Sequence, residues 1–452
     1  MHLFDDSASP ILESSCFDPP PQGQNSVSQK DRRSRARSFC AFGKELALIP
    51  MALPVRSRLA ALGVAATNGL VRRLGRGAGT VAGGRVGLRL DPRLLERLAR
   101  GREIIVVTGT NGKTTTSALV REGWGGDVAA NTTGANMPAG HVAALVASRS
   151  SRVVLEVDEA WLDVVVAATS PVAVVLLNLS RDQLDRASEV RQLAVRWRAI
   201  TVAHPALRII ANASDPLVVF AVGDAENVEW ISVPHGWRED ARSCPVCTAA
   251  LTFGDHWSCS CGFTQPTATT IVDERGAISV HGEVVPLDLG IPGFFNRVNA
   301  TFALRALAVV GQSPSAVTAR LATVTSVQGR YGVRTWAGRT IRLLLAKNPA
   351  GVGVLLSELD EADGELWIAI NAHVADGRDP SWIYDAPFEH VQHEVVTCLG
   401  ERRLDIATRL TYAGKGVRVV DDIDELASGE GPVTLIANYT AFREWFERSA
   451  PC

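Results

Sequence analysis

No stretch of this 452-residue sequence is long and apolar enough to span a bilayer. Runs such as Pro171–Leu179 are too short and read as buried strands. The N-terminus lacks the apolar core of a secretory signal, so a cytoplasmic protein is expected, with at most peripheral contact at the inner face of the membrane. Charge of one sign is missing too. The formal net charge is −2, which excludes a global field for nucleic acid and leaves room only for a local basic face. No internal repeat is present.

The composition is that of a folded protein, with 46% hydrophobic and 21% charged residues. The length suggests two or three domains. Residues 1–50 differ from the rest: they are rich in Ser, Pro, Gln and Arg, with a basic run at Lys30–Arg37. They read as a disordered tail or an upstream mis-start, with ordinary folded sequence beginning near Met51. Of the 8 cysteines, Cys244, Cys247, Cys259 and Cys261 cluster, whereas Cys16, Cys40, Cys398 and Cys452 are scattered.

From Glu103 the pattern alternates strand and helix. Ile104–Val107, Arg152–Val157, Val172–Leu177 and Leu207–Ala211 read as buried parallel strands with helical spacers between them. The segment 243–263 interrupts this rhythm, and Asn296–Val310 reads as a closing helix. A second α/β unit begins near Gly329-Arg330, with strands expected at Ile341–Leu345, Leu366–Ile370, Glu394–Cys398 and Val433–Ala437. The expected organisation is a central nucleotide-binding domain over 51–330, an insertion at 243–263, and a Rossmann-like α/β domain over 331–452.

Chemistry is concentrated in Thr108-Gly109-Thr110-Asn111-Gly112-Lys113-Thr114-Thr115. A Gly-rich turn between strand and helix presents backbone N–H groups to phosphate oxygens. Lys113 would neutralise phosphate charge, and Thr114 or Thr115 would hold Mg²⁺. The strict P-loop pattern fails because its first glycine falls on Val107. The Cys244-Pro-Val-Cys247 and Cys259-Ser-Cys261-Gly262 turns offer four thiolates to a structural Zn²⁺; the bland alternative is four free cysteines in a loop.

The loop resembles that of the Mur ligases and folylpolyglutamate synthases, and further matches follow in chain order. Glu156 ends a strand where those families place a Mg²⁺-binding glutamate. Asn178–Asp185 resembles their Asn…Asp-His-Leu-Asp segment, with Gln183 at the histidine. Asn212-Ala-Ser-Asp215-Pro216 resembles their Asn-Ala-Asp-Asp-Pro. Asn296 and Asn299 open a helix near the adenine, and Arg330 resembles the hinge arginine that reaches the nucleotide. The resemblance implies a Mur ligase-like α/β fold with a parallel sheet. It also implies ATP and Mg²⁺, with Gly109, Thr110, Asn111, Gly112, Lys113, Thr114, Thr115, Asn296, Asn299 and Arg330 around the nucleotide. An amide made from a carboxylate needs activation, which ATP supplies as an acyl phosphate, with Lys113, Arg330 and Mg²⁺ at the transferred group.

The cysteine ribbon, Lys347-Asn348-Pro349, Ala375–Asp385, Gly400-Glu401-Arg402-Arg403 and Asn438-Tyr439-Thr440 together resemble the MurT family, from about Met51 to the C-terminus. That resemblance implies amidation of the D-glutamate α-carboxylate in the lipid II stem peptide, with ammonia from a GatD-like glutaminase partner. This chain shows no Cys–His glutaminase of its own. Two departures stand out. The stretch Leu193–Ile200 has no lysine where amino-acid-adding Mur ligases carry a carbamylated one. The aspartate of the family's Asn-Asp-Asn, which is thought to complete the partner's catalytic triad, is Ala372 here, which leaves Asp376, His373 or a group of the partner's own as substitutes. Two other functions stay open: a Mur-like ligase with another acceptor, and a nucleotide-binding scaffold with poor turnover.

Overall fold

The computed structural model describes residues 53–74, 79–181, 190–234, 238–273, 277–280, 283–327, 329–359 and 364–451. The expected tail at 1–50 and the motif residues Asp182–Asp185 lie outside them.

Among the described residues, two main sheets form. The first uses β1 (Glu103–Thr108), β2 (Ala129–Ala130), β3 (Arg152–Glu156), β4 (Ala173–Leu176), β5 (Ile209–Asn212) and β6 (Val228–Ser232). The cysteine segment then makes its own hairpin from β7 (Thr252–Phe253) and β8 (Trp257–Ser258). After it, β9 (Thr270–Val272), β10 (Ala277–Val280) and β11 (Glu283–Pro286) rejoin the first sheet. Its order is β11-β10-β9-β6-β5-β4-β1-β3-β2. The strands from β2 to β9 pair in parallel, and β9–β11 close the edge in antiparallel fashion.

The second sheet uses β12 (Tyr331–Trp336), β13 (Arg339–Leu345), β14 (Glu365–Ala369), β15 (Val395–Leu399), β16 (Gly416–Val419), β17 (Val433–Ala437) and β18 (Ala450–Pro451). Its order is β16-β15-β14-β17-β13-β12-β18, parallel from β16 to β13.

Strands at the centre of such sheets must be apolar on both sides, and β1 shows why. Ile104 and Val106 face one buried cluster with α1 (Val55–Arg73), α3 (Leu94–Ala99), α5 (Pro138–Val146), α6 (Leu162–Thr169), α7 (Val190–Ala203) and α8 (Pro216–Val222). The remaining helix of that side, α2 (Thr80–Leu90), packs on α1 and α5. Ile105 and Val107 face the other cluster, with α4 (Lys113–Trp124), α9 (Phe294–Val309) and α10 (Pro314–Leu321). That second cluster runs without a break into the other sheet, through Leu344, Ile368, α11 (Pro349–Leu356) and α12 (Arg403–Tyr412). The far face of the second sheet is covered by α13 (Tyr439–Arg448), where Trp336 packs edge to face on Trp367 and Trp445, and these two are tilted against each other, with ring centroids 5.4 to 6.2 Å apart.

Candidate functional site

In parallel sheets the C-terminal ends of strands gather the loops, and both sheets turn such ends toward one cleft of about 690 Å³. The turn after β1 opens it. Gly109 and Gly112 have φ of 140° and 84°, which only glycine adopts without strain. A Cβ on Gly112 would lie 2.6 Å from Asn299 Oδ1, so the backbone must be bare there.

The segment after β4 clamps this turn. Asn178 Oδ1 accepts from the Asn111 N–H at 2.9 Å, and Asn178 Nδ2 donates back to the Asn111 carbonyl at 3.0 Å. Thr110 Oγ1 donates to the Ser180 carbonyl and accepts from the Ser180 N–H, each at 3.0 Å. Asp215 holds this segment from below: it accepts from the Leu179 N–H at 2.8 Å and caps α8 through the Leu217 N–H. Burial pushes its carboxyl up to about 6 despite these donors.

Lys113, Thr114, Thr115, Glu156, Asn296, Asn299 and Arg330 all line the cleft, with Thr110, Asn111 and Gly112. Lys113 is buried, and its ammonium donates to the Gly109 carbonyl, to the Thr110 carbonyl at 3.2 Å and to Glu159 Oε2 at 3.0 Å. Glu159 in turn is positioned by Trp197, whose indole donates to the Glu159 carbonyl at 3.0 Å. Trp197 belongs to the stretch that lacks a lysine.

Glu156 is 5% exposed, and among the described residues no group donates to its carboxylate. Only its backbone is used, by Asn131 and by His141 Nε2, which donates to the Glu156 carbonyl at 2.8 Å. A buried carboxylate without a partner is costly and calls for a cation. With Thr114 it lines the cleft, and this oxygen donor set could hold a hard cation such as Mg²⁺.

The second sheet reaches into the same cleft. Arg330 donates to Thr114 Oγ1 at 3.0 Å, and Asn348 donates to Asn111 Oδ1 at 3.1 Å. Asn348 also caps α11 through the Gly351 N–H at 2.8 Å. Glu358 accepts from the N–H groups of Phe294 and Phe295 at 2.8 and 2.9 Å, capping α9 across the cleft. Asn178, Glu159, Asn348 and Glu358 were not singled out as site residues. Asn178 and Asn348 lie in motifs that the sequence shows and Glu358 in none, and contacts of such sequence separation leave no periodic signal.

In the cysteine segment the four thiol sulfurs lie within 4.8 Å of one another. Cys244 and Cys261 are 3.8 Å apart, and Cys247 and Cys259 are 3.4 Å apart. A tetrahedron with Zn–S bonds of about 2.3 Å needs sulfurs about 3.8 Å apart, so the set fits zinc. The ribbon is fastened by Trp257, buried beside Cys244 and Cys259, whose indole donates to the Ala213 carbonyl at 3.3 Å. His256 is exposed and outside the sulfur group. Cys398 is core, its thiol pushed up to about 12 by burial.

The end of β14 carries a separate cluster. The Ala372 N–H donates to Glu401 Oε2 at 2.9 Å, and His373 Nε2 lies 3.6 Å from Glu401 and 4.0 Å from Glu444. Asp376, considered above as a stand-in for the triad aspartate, accepts from the His373 N–H at 3.2 Å. It is 4% exposed, accepts from the Thr440 N–H at 2.8 Å and the Thr440 hydroxyl, and so caps α13. The carboxylates open to solvent beside Ala372 are those of Glu401 and Glu444.

Two domain families match this chain: the Mur ligase middle domain over residues 107–307 and the MurT ligase C-terminal domain over residues 345–442. The MurT subunit of lipid II isoglutaminyl synthase (glutamine-hydrolyzing) from Staphylococcus aureus strain COL is 29% identical over 407 residues, covering 82% of this chain and 92% of that protein. Among solved structures, a pseudomurein peptide ligase type C from Methanothermus fervidus shares the fold with a TM-score of 0.63 at 19% identity, over 80% of this chain and 83% of that one. The MurF ligase of Thermotoga maritima in complex with ADP does so with a TM-score of 0.56 at 15% identity, over 80% of this chain and 83% of that one. The chain thus carries a Mur ligase middle domain followed by a MurT ligase C-terminal domain, and it is similar to the MurT subunit over most of its length.

Proposed function

We propose that this chain is the ATP-consuming ligase subunit of a lipid II amidating enzyme. It phosphorylates the D-glutamate α-carboxylate of the stem peptide and lets ammonia displace the phosphate, giving D-isoglutamine. The carboxylate of Glu156, buried, without a partner among the described residues and lining the same cleft as Lys113 and Arg330, carries the reading: the cleft offers a metal ligand and two cations at the end of a phosphate loop. Lys113 and Arg330 neutralise the transferring phosphoryl group, and the N–H groups of 110–113 cradle the nucleotide phosphates. Thr114 and Glu156 would hold a Mg²⁺, whose positive charge would help to neutralise the phosphates. Asn296 and Asn299, on α9 at the cleft, would help to hold the nucleotide. The four cysteines would hold a structural Zn²⁺.

Ammonia is a small nucleophile, which fits a site where Trp197 occupies the stretch that in amino-acid-adding ligases carries a lysine. A GatD-like glutaminase would supply it, meeting the chain at the exposed end of β14 near His373, Glu401 and Glu444. Asp376 serves this surface by capping α13. Residues 51–330 and 331–452 are the two working domains.

The test supplies ammonium chloride directly. The purified chain, mixed with lipid II and Mg-ATP without any partner, is followed by mass spectrometry of the stem peptide. The small mass decrease of acid turning to amide, absent in Lys113→Ala, supports the reading. Bound ATP without amidation, even when a glutaminase and glutamine are added, rejects it in favour of another acceptor or a scaffold.

A further inference from the structure

Helix α1 is built inside out. Its buried face is Ser57, Ala60, Ala61, Val64, Ala65, Asn68 and Gly69, while Val55, Leu59, Leu62, Ala66 and Leu70 recur every three or four residues on the outer face. Val55 is 72% exposed, Leu59 59% and Leu70 58%. A soluble helix normally buries its leucines, so small residues inward and leucines outward need a cause.

The inward choice has one: α1 must lie close to α2, and α2 close to α5. A Cβ on Gly83 would fall 2.1 Å from Asn68 Oδ1, and one on Gly84 1.8 Å from the Ala139 carbonyl. The outward leucines are extended by Leu90 of α2, which is 47% exposed and reaches across α1 at Gly63.

Charge says what covers this stripe. From Val55 to Leu90 the sequence has seven arginines and no Asp, Glu or Lys. Arg56, Arg72, Arg73, Arg85 and Arg89 are exposed, in a protein whose net charge is −2. The next acid, Asp91, is buried against Arg97 and does not offset them.

We propose that the outer face of α1 and α2 is a docking surface for an anionic bilayer. The leucine stripe lies in the interface plane, and the arginines meet the negative headgroups. No helix among the described residues is long and apolar enough to cross a membrane, so the contact is peripheral. It holds the cleft close to the lipid, because α5, packed on α2, starts just after the cleft residue Asn136. The inference stands apart from the amidation chemistry, since it needs neither ATP nor a lipid-linked substrate to be seen.

The test is flotation of the full chain with vesicles. Binding is expected to phosphatidylglycerol-containing vesicles and not to pure phosphatidylcholine, and it should weaken in high salt. Leu59→Ser/Leu70→Ser, at exposed positions and with nucleotide binding as a folding control, should lower partitioning by about ten-fold or more. Arg72→Ser/Arg73→Ser should lower it on anionic vesicles by roughly five-fold per arginine. The proposal is overturned if the full chain ignores anionic vesicles, or if the leucine variant still floats. It is also overturned if the variant only breaks up a dimer, or if vesicles bind only after residues 1–52 are removed, since another chain or that segment then covers the face.

Discussion

Arg330 donates to the hydroxyl of Thr114 at 3.0 Å, joining the connection between the two sheets to the first turn of the phosphate-loop helix. The residues are 216 positions apart, and both line the cleft. In the proposed reaction a guanidinium held there would meet the charge that grows on the transferring phosphoryl group. Arg330→Ala is therefore expected to lower kcat by about 10² to 10³, with little change in stability. Ammonium-driven turnover and a thermal melt on the same preparation check it; an unchanged kcat would remove Arg330 from the machinery.

Lys113 and Glu159 form a pair at 3.0 Å in which both side chains are 10% exposed or less. In the proposed site the carboxylate would compete with phosphate for the ammonium. Glu159→Gln should tighten ATP binding by up to about ten-fold while destabilising the nucleotide-free protein. Titration with a fluorescent nucleotide reads the first effect, and weaker binding would contradict it.

The cysteine ribbon is too small to hold itself together without metal. Purified protein should carry zinc, lost in Cys244→Ser together with several degrees of Tm. Because Trp257 ties the ribbon to Ala213, two residues before Asp215, nucleotide affinity should fall as well. Metal analysis of wild type and variant decides; a zinc-free, equally stable wild type would sink the idea.

His141 lies fully buried under Glu156, and burial pushes its imidazole down to about 4. Its Nε2–H is satisfied by the Glu156 carbonyl, whereas Nδ1 has no partner among the described residues, so a second proton would be stranded. Between about pH 6.5 and 4 the unfolded chain takes up a proton that the folded chain refuses, so stability falls as pH drops through that window. The loss from this residue is about 3 kcal/mol at the acid end. Comparing denaturation of wild type and His141→Gln across that range isolates it from the opposing effect of Asp215. Parallel curves would show that the histidine does not titrate this way.

What the sequence made readable were features with local causes. The β-branched run before Gly109 forms β1, because a strand buried on both faces has to be apolar throughout. The strand at Val433–Ala437 was placed to the residue for the same reason. The paired cysteine turns announced their cluster. Local pattern could not show that Asp376 caps a helix 64 positions away, that Glu358 caps α9 from the other sheet, or that β9–β11 close the first sheet in antiparallel fashion. Helix α1 misleads any reading by periodicity, because its leucines mark the outer face.

The central claim, activation of a carboxylate as an acyl phosphate, is tested most directly with oxygen-18. Lipid II labelled in the α-carboxylate of D-glutamate is incubated with the chain, Mg-ATP and ammonium, and the released phosphate is analysed. One labelled oxygen in inorganic phosphate for each amide formed is the predicted result. Amide formed with unlabelled phosphate, or with the label in AMP, would contradict it.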